Sequence, residues 1–359
     1  QNRGNEVVLV ARKKGAATVL LYLEGNTINY IRRTIFANEE TYTVRYKFDF
    51  SSIVSNAAET TRRTDSYSTD TFILNAQNQI DPKNGNGSAG MPYLITTSAD
   101  LDNFSKYINS GGASMGRYFS LTKSITYLGT VFVPIGTAAS PFKGNFSGDG
   151  HTITGINKVA DVDYIGLFGY ASYGSVITLV GIENCTFSTP AHGFSHNISI
   201  GALAGYSEGT IRNCYSRSMV FTYTPASGKT LVAGGLVGEL KGSLIGCYAR
   251  PYGQTTSTGS NVEGKNILCS YVSTQYGTGF NYYGGLLVGK TSGIIDGCYN
   301  TAVYYTPTGV DQTKLSEYGV IAGWFEKGSI QSTYYDVDQL PASNRYLYLY
   351  RNQAAVING

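Results

Sequence analysis

The expected fold class is all-β: a right-handed parallel β-helix of stacked coils, preceded by a small β-rich, sandwich-like domain. Three observations predict it. An apolar signature bracketed by glycines recurs as Gly166-Leu-Phe-Gly169, Gly201-Ala-Leu-Ala-Gly205, Gly235-Leu-Val-Gly238, Gly285-Leu-Leu-Val-Gly289 and Gly319-Val-Ile-Ala-Gly323. Its closing glycines, Gly169, Gly205, Gly238, Gly289 and Gly323, are 36, 33, 51 and 34 residues apart. A near-fixed period in this range marks stacked supersecondary units, none able to bury its apolar face alone. A second signature follows the first: Gly209-Thr-Ile-Arg-Asn-Cys-Tyr215, Gly242-Ser-Leu-Ile-Gly-Cys-Tyr248, Gly293-Ile-Ile-Asp-Gly-Cys-Tyr299 and Gly328-Ser-Ile-Gln-Ser-Thr-Tyr334 align without gaps. Finally, 44 glycines in 359 residues, with abundant Tyr, Thr, Val and Ile, oppose a helical solenoid of the same period.

Residues 1–80 read as the small β-rich domain. Glu6-Val-Val-Leu-Val-Ala11 and Thr18-Val-Leu-Leu-Tyr-Leu23 are strand-like, and Tyr42-Thr-Val-Arg-Tyr-Lys-Phe-Asp-Phe50 alternates apolar and polar throughout. Phe72-Ile-Leu74 could add a fourth strand. Residues 81–90, Asp-Pro-Lys-Asn-Gly-Asn-Gly-Ser-Ala-Gly, have the composition of a linker. The β-helix is expected over 91–359. It opens with a capping helix at about 97–110: Thr97-Ser-Ala-Asp100 fits a capping box, Leu101, Phe104 and Ile108 follow helical spacing, and Gly111-Gly112 ends it. Such a helix can cover the open sheet edge at the start of the coils. A C-terminal cover is expected at about 339–359, where Arg345-Tyr-Leu-Tyr-Leu-Tyr-Arg351 alternates.

The alignment columns carry physical meaning. One column reads Ile182, Ile211, Leu244, Ile295 and Ile330, and another Cys185, Cys214, Cys247, Cys298 and Thr333, with Ile182-Glu-Asn-Cys-Thr186 taken as the first copy. The two columns lie three apart, which strict strand alternation would place on opposite faces. The residue before each Cys or Thr is Asn184, Asn213, Gly246, Gly297 or Ser332. Asn and Gly tolerate the left-handed conformation, so a corner there lets both columns point inward. Gly264-Lys-Asn-Ile-Leu-Cys-Ser-Tyr271 reads as a degenerate copy that fills the 51-residue interval.

These residues resemble a known family. Phe142-Lys-Gly-Asn-Phe-Ser-Gly-Asp-Gly-His-Thr-Ile153, followed by the Gly-Leu-Phe-Gly and Gly-Gly-Leu-Val-Gly repeats, is similar to GLUG-motif proteins. Pro92-Tyr-Leu-Ile-Thr-Thr-Ser-Ala-Asp-Leu101, Tyr118-Phe-Ser-Leu-Thr-Lys123 and Pro134-Ile-Gly-Thr137 extend the resemblance over about residues 91–338. That motif occurs in bacterial surface adhesins and in the non-catalytic part of IgA1-protease-like proteins. The resemblance implies a secreted or outer-membrane-attached cell-surface protein that binds a host protein or a carbohydrate. It does not imply an activity, because function lives in sites grafted on folds.

Composition narrows the classes. Charged residues make up 14%, against roughly 25% in ordinary domains. A net charge of +3 is too weak to imply nucleic acid as a partner. No apolar run approaches a membrane span, a monomer is expected, and Gln1 is expected to follow a removed leader. The cysteines read as buried small hydrophobes in a repeat column rather than as disulfides, since Thr333 shares that column.

Catalytic residues, a metal site and a cofactor are not expected. The column two before Cys reads Glu183, Arg212, Ile245, Asp296 and Gln331, which does not repeat an acid. Asp149-Gly-His151 reads as part of a tight turn at Gly148-Asp-Gly150. His192 and His196 have a metal-like spacing but no third ligand, and no His-Glu-x-x-His motif occurs. The candidate binding residues are Tyr215, Tyr248, Tyr299 and Tyr334, which follow the inward column and so point outward. They read either as self-supporting aromatic packing or as a surface for sugars or a protein partner. The stretches 252–261, 276–283 and 304–315 are a second candidate surface. A glycan-active enzyme and a structural stalk are the alternatives to a binding protein.

Overall fold

The computed structural model describes residues 6–10, 15–23, 26–37 and 43–47, several positions between 72 and 80, and then 84–157, 159–188, 196–222, 228–250, 281–300 and 318–335. It divides into two compact units, 1–68 and 69–359. In the first unit, β1 (Glu6–Val10) pairs antiparallel with β4 (Thr43–Lys47). There β2 (Gly15–Leu23) pairs antiparallel with β3 (Asn26–Ala37). The expected strands at 6–11, 18–23 and 42–50 correspond to β1, β2 and β4. Strand β3 was missed, because Arg32 and Arg33 interrupt its alternation.

The second unit is a parallel β-helix. Each full coil contributes one short strand to each of four parallel sheets. One coil runs Ile198–Gly201, Ala204–Ser207, Thr210–Arg212 and Tyr215–Thr222. The first two sheets have five strands each, the third has eight and the fourth has seven. The third sheet begins at Tyr93–Ile95 and ends at Ser329–Gln331. Register is kept without slippage. In the third sheet Phe119, Phe146, Ile177, Ile211, Leu244, Ile295 and Ile330 stand one above another. All but the last are buried, and like-on-like stacking builds one continuous apolar core.

The glycine signature is explained by the close approach of the first two sheets. The closing glycines lie against first-sheet backbone. An added Cβ would stand 2.5 Å from the Ile165 nitrogen at Gly205, 2.7 Å from the Ile200 nitrogen at Gly238, and 2.8 Å from Ala233 backbone at Gly289. At Gly323 it would stand 2.5 Å from Gly284 backbone, and at Gly169 3.1 Å from the Tyr164 carbonyl oxygen. The opening column is Gly201, Gly234 and Gly285 in register. Gly234 therefore opens its signature, where Gly235 was expected. Gly235 instead occupies the corner, where its carbonyl accepts a hydrogen bond from the Ser216 hydroxyl at 2.9 Å. In a later coil Asn300 Nδ2 donates to the corner carbonyl of Val320 at 3.1 Å. Buried polar side chains thus satisfy carbonyls that the turn removes from the ladder.

The corner between the third and fourth sheets has the expected left-handed residue in every full coil. Asn213 (φ 52°), Gly246 (61°), Gly297 (61°) and Ser332 (45°) occupy it. The first copy differs from the expectation. Val176–Thr178 pairs with Thr210–Arg212, so Ile177, not Ile182, is in the Ile column. The corner is Leu179 (φ 57°), and the residue after it, Val180, takes the Cys position. Cys185 lies further along the fourth sheet, paired with Met219 behind a separate left-handed residue, Asn184 (φ 50°). The resemblance of Glu-Asn-Cys to the later Arg-Asn-Cys, and a leucine where Asn or Gly was sought, caused the misalignment.

Helix α1 (Ser98–Asn109) covers the first coils. Thr97 and Asp100 form the expected capping box, and Gly111 (φ 87°) follows the Ser110 C-cap. Phe104 projects into an aromatic layer, 4.7 Å from Phe119 and 6.0 Å from Phe142 and Phe146 between ring centres. Phe72 joins the same layer at 5.5 Å from Phe104. Its amide donates to Asp100 Oδ1 at 2.6 Å, while Asp100 Oδ2 accepts from the Thr96 and Thr97 amides. The boundary expected at residue 80 therefore differs from the division at 68/69: Phe72 belongs to the β-helix core. The expected C-terminal cover at 339–359, the degenerate copy with Cys269 and Tyr271, and the stretches 252–261 and 304–315 lie outside the described residues, as does most of 276–283.

Candidate functional site

The face outside the third-to-fourth sheet corner carries the candidate residues. Three columns run along it. The last outward position before the corner reads Thr178, Arg212, Ile245, Asp296 and Gln331. The first outward position after the corner reads Gly181, Tyr215, Tyr248, Tyr299 and Tyr334. Two residues further on come Glu183, Arg217 and Arg250. Glu183 therefore belongs to the third column, and Thr178 takes the place expected for it in the first.

The tyrosines form the expected outward ladder. Tyr215 and Tyr248 stack at 4.7 Å with 4° between ring planes, and Tyr248 and Tyr299 at 4.6 Å with 11°. Tyr215 also covers Gly181, where an added Cβ would meet its ring at 2.4 Å. Exposure rises along the ladder, from half-buried at Tyr215 and Tyr248 to 38% at Tyr299 and 69% at Tyr334. Parallel stacking has a chemical consequence: neighbouring rings cover one another's faces. The three stacked rings therefore offer edges and hydroxyls outward, not flat faces. The Tyr215 hydroxyl donates to Glu183 Oε1, and burial, then that carboxylate, raises its pKa. The Tyr248 and Tyr299 hydroxyls have no hydrogen-bond partner among the described residues.

Glu183 organises the top of the face. It is 7% exposed and holds both the Tyr215 hydroxyl and the Arg217 guanidinium. A buried carboxylate held by two donors fixes both donors in place. Arg250 is the register neighbour of Arg217, and both Arg212 and Arg250 are exposed. Neither has a carboxylate within salt-bridge distance among the described residues.

The other candidates resolve as follows. Cys214, Cys247 and Cys298 form an internal thiol ladder, with the Cys214 and Cys247 amides donating to the sulfur one coil on at 3.4 Å. Cys185, Cys214, Cys247 and Cys298 are all buried and free of disulfides. Burial pushes the Cys185 thiol up to about 12 and the Cys247 thiol well up, so both are protonated and neither is a nucleophile or metal ligand as it stands. Asp149 (φ 55°) and Gly150 (φ 84°) make the expected turn, closed by the His151 amide on the Gly148 carbonyl at 2.8 Å. His192 lies outside the described residues. His196 sits between Asp161, at 3.0 Å, and Asp163, at 2.8 Å. Among the described residues no three His, Cys, Asp or Glu side chains are grouped to hold a metal ion, and no helix is long and apolar enough to cross a membrane.

A second aromatic group was missed. Tyr170 and Tyr206 pack at 4.4 Å with Tyr164 against both, and the Lys241 ammonium lies 5.1 Å over the Tyr206 ring. The signal was present in the sequence: Tyr follows the closing glycine at both 170 and 206. Tyr206 is 5% exposed and bonds Glu208, so this group is packing rather than a surface.

Fold and face together define a parallel β-helix repeat protein with an aromatic, arginine-flanked corner. No family model matches the chain, and no solved structure matches it. Two curated relatives do. A protein of Evansella cellulosilytica, whose name describes it as a Gly-rich membrane protein, is 36% identical over 140 residues, covering 36% of this chain and 15% of that one. Halomucin of Haloquadratum walsbyi is 28% identical over 180 residues, covering 47% of this chain and 2% of that one. The chain thus spans a small fraction of either relative's length.

Proposed function

We propose that this chain is a binding segment of a bacterial cell-surface protein of the GLUG-repeat type, engaging a glycan or a host-surface protein non-covalently along the tyrosine corner. The observation that carries this reading is the ladder itself. A row of tyrosine edges whose Tyr248 and Tyr299 hydroxyls have no partner among the described residues offers regularly spaced hydrogen-bonding groups on a rigid scaffold. The names of the two relatives, a membrane protein and a halomucin, are compatible with a surface location. The resemblance of residues 142–153 and the glycine signatures to GLUG proteins points the same way.

The face does not favour catalysis. Its buried carboxylate, Glu183, is already engaged by Tyr215 and Arg217. Asp296, the other described acid in these columns, lies three coils away in register. A glycosidase pair needs carboxyl groups within about 5–9.5 Å. The test is a panel of polysaccharides incubated with the purified chain. Binding without release of reducing sugar or unsaturated product is expected. Turnover abolished by Glu183→Gln or Asp296→Asn would replace this reading with that of a glycan-active enzyme.

A further inference from the structure

The upper half of the tyrosine corner is not charge-neutral. Arg212, Arg217 and Arg250 occupy the columns on either side of the Tyr215–Tyr248 stack, against the one described carboxylate there, Glu183. Glu183 is nearly buried and is committed to Arg217 and Tyr215. Arg212 stands at the last outward position before the corner, and Arg250 two residues beyond Tyr248, both exposed. Arg217 and Arg250 are register neighbours, so their backbones are one strand spacing apart, about 4.8 Å. The tyrosine column runs between the column of Arg212 and that of Arg217 and Arg250. The charge reverses further along, where Asp296 replaces Arg212 and Ile245 in the first column.

We infer that Arg212, Arg217 and Arg250, with the Tyr248 hydroxyl between them, form a site for the anionic substituents of an acidic glycan, either carboxylate or sulfate. This deepens the proposed function and rests on it. Guanidinium forks match carboxylate and sulfate oxygens with paired N–H donors, and two forks one strand apart can share one anionic group. Glu183 is the positioning residue. It holds Arg217 and Tyr215 in place and its charge is offset by Arg217, so the net positive charge of the site comes from Arg212 and Arg250. The tyrosine hydroxyls along the ladder then meet the neutral hydroxyls of the same chain. A short, rigid row of this kind fits a linear glycan better than a nucleic acid, because the net charge of +3 supplies no extended basic footprint.

The experiment uses the whole chain and four probes: polygalacturonate for carboxylate, dextran sulfate for sulfate, neutral dextran, and single-stranded DNA. The variant is Arg212→Gln with Arg250→Gln, both exposed and without a carboxylate partner among the described residues, so the Glu183–Arg217 pair is untouched. Binding to one or both acidic glycans is expected, at least tenfold tighter than to dextran. The double variant should weaken it about tenfold with an unchanged melting curve, and raising NaCl from 50 to 500 mM should weaken it comparably. Which acidic probe binds identifies the substituent. Equal binding of dextran, full binding by the double variant, or DNA bound as tightly as the glycans overturns the inference. If dextran binds and Tyr248→Ala abolishes it, the tyrosine face stands while the anionic site fails. If no glycan binds at all, the anionic site falls, and a protein ligand found to depend on Tyr248 would show that the tyrosine face survives without it.

Discussion

Replacing Gly285 with alanine tests the packing that builds the coils. Gly285 opens one glycine signature, in register with Gly201 and Gly234. A Cβ there would lie 1.8 Å from the Val288 carbonyl oxygen and 2.5 Å from the Gly323 nitrogen, where ordinary contact begins near 3.4 Å. Both obstacles are backbone, so no side chain can swing aside. One strand must retreat by about 1.6 Å. Overpacking of a filled core costs about 1–3 kcal/mol. The retreat also strains the corner bonds from the Gly235 amide to the Gly285 carbonyl and from the Leu286 amide to the Gly319 carbonyl, each worth about 1 kcal/mol. A loss of about 4 kcal/mol is expected, which for a unit of this size lowers Tm by about 10 °C. Gly90→Ala is the control, because nothing lies within 4 Å of its Cβ position. Thermal unfolding followed by circular dichroism reads both. A Gly285→Ala midpoint within 2 °C of the parent would refute the reasoning that glycine is demanded by backbone contact.

Three further outcomes follow from particular residues. Leu179 holds a left-handed backbone that its coil-mates assign to Asn213, Gly246 and Gly297; Leu179→Asn should stabilise by about 1 kcal/mol in urea unfolding, and a loss would contradict the strain. Burial raises the Asp149 carboxyl from 3.8 to about 6, so the folded state holds that proton more tightly than the unfolded chain. Its contribution is full below about pH 4 and lost as pH rises through about 6. Asp149→Asn should therefore match the parent near pH 4 and exceed it in stability at pH 7. His151, whose pKa burial lowers, contributes in the opposite sense and is common to both proteins, so a gap that shrinks towards pH 7 contradicts the assignment. Finally, thiol titration of unfolded, unreduced protein should find at least the four described cysteines free; three or fewer would reveal a disulfide.

The architecture was legible because repeats write it many times over. Each glycine of the signature answers the same backbone contact in successive coils, and Asn or Gly before Cys marks the same corner. What failed was the copy that departs from that code. Leu179 occupies a left-handed corner that leucine seldom takes, so Ile177-Thr-Leu-Val180 did not read as a corner, while Asn184-Cys185 did. Strand β3 was hidden by its paired arginines. Phe72 was assigned to the wrong unit, because nothing local shows that it fills the aromatic layer under α1. At the candidate site the outward tyrosine ladder was legible from its spacing. Its arginine flank was not, since Glu183, Arg217 and Arg250 come together only once the correct register is known.

The most direct test of the functional account is binding of the intact chain to an array of glycans and host-surface proteins, compared with Tyr248→Ala/Tyr299→Ala. These two rings lie on the outer face of the coils, Tyr248 in the middle of the stack, and their hydroxyls bond no described residue, so folding should survive their loss with a fall in Tm from the two missing ring contacts. The account predicts that a ligand bound by the parent chain is bound at least tenfold more weakly by the folded double variant. Undiminished binding by that variant would contradict it.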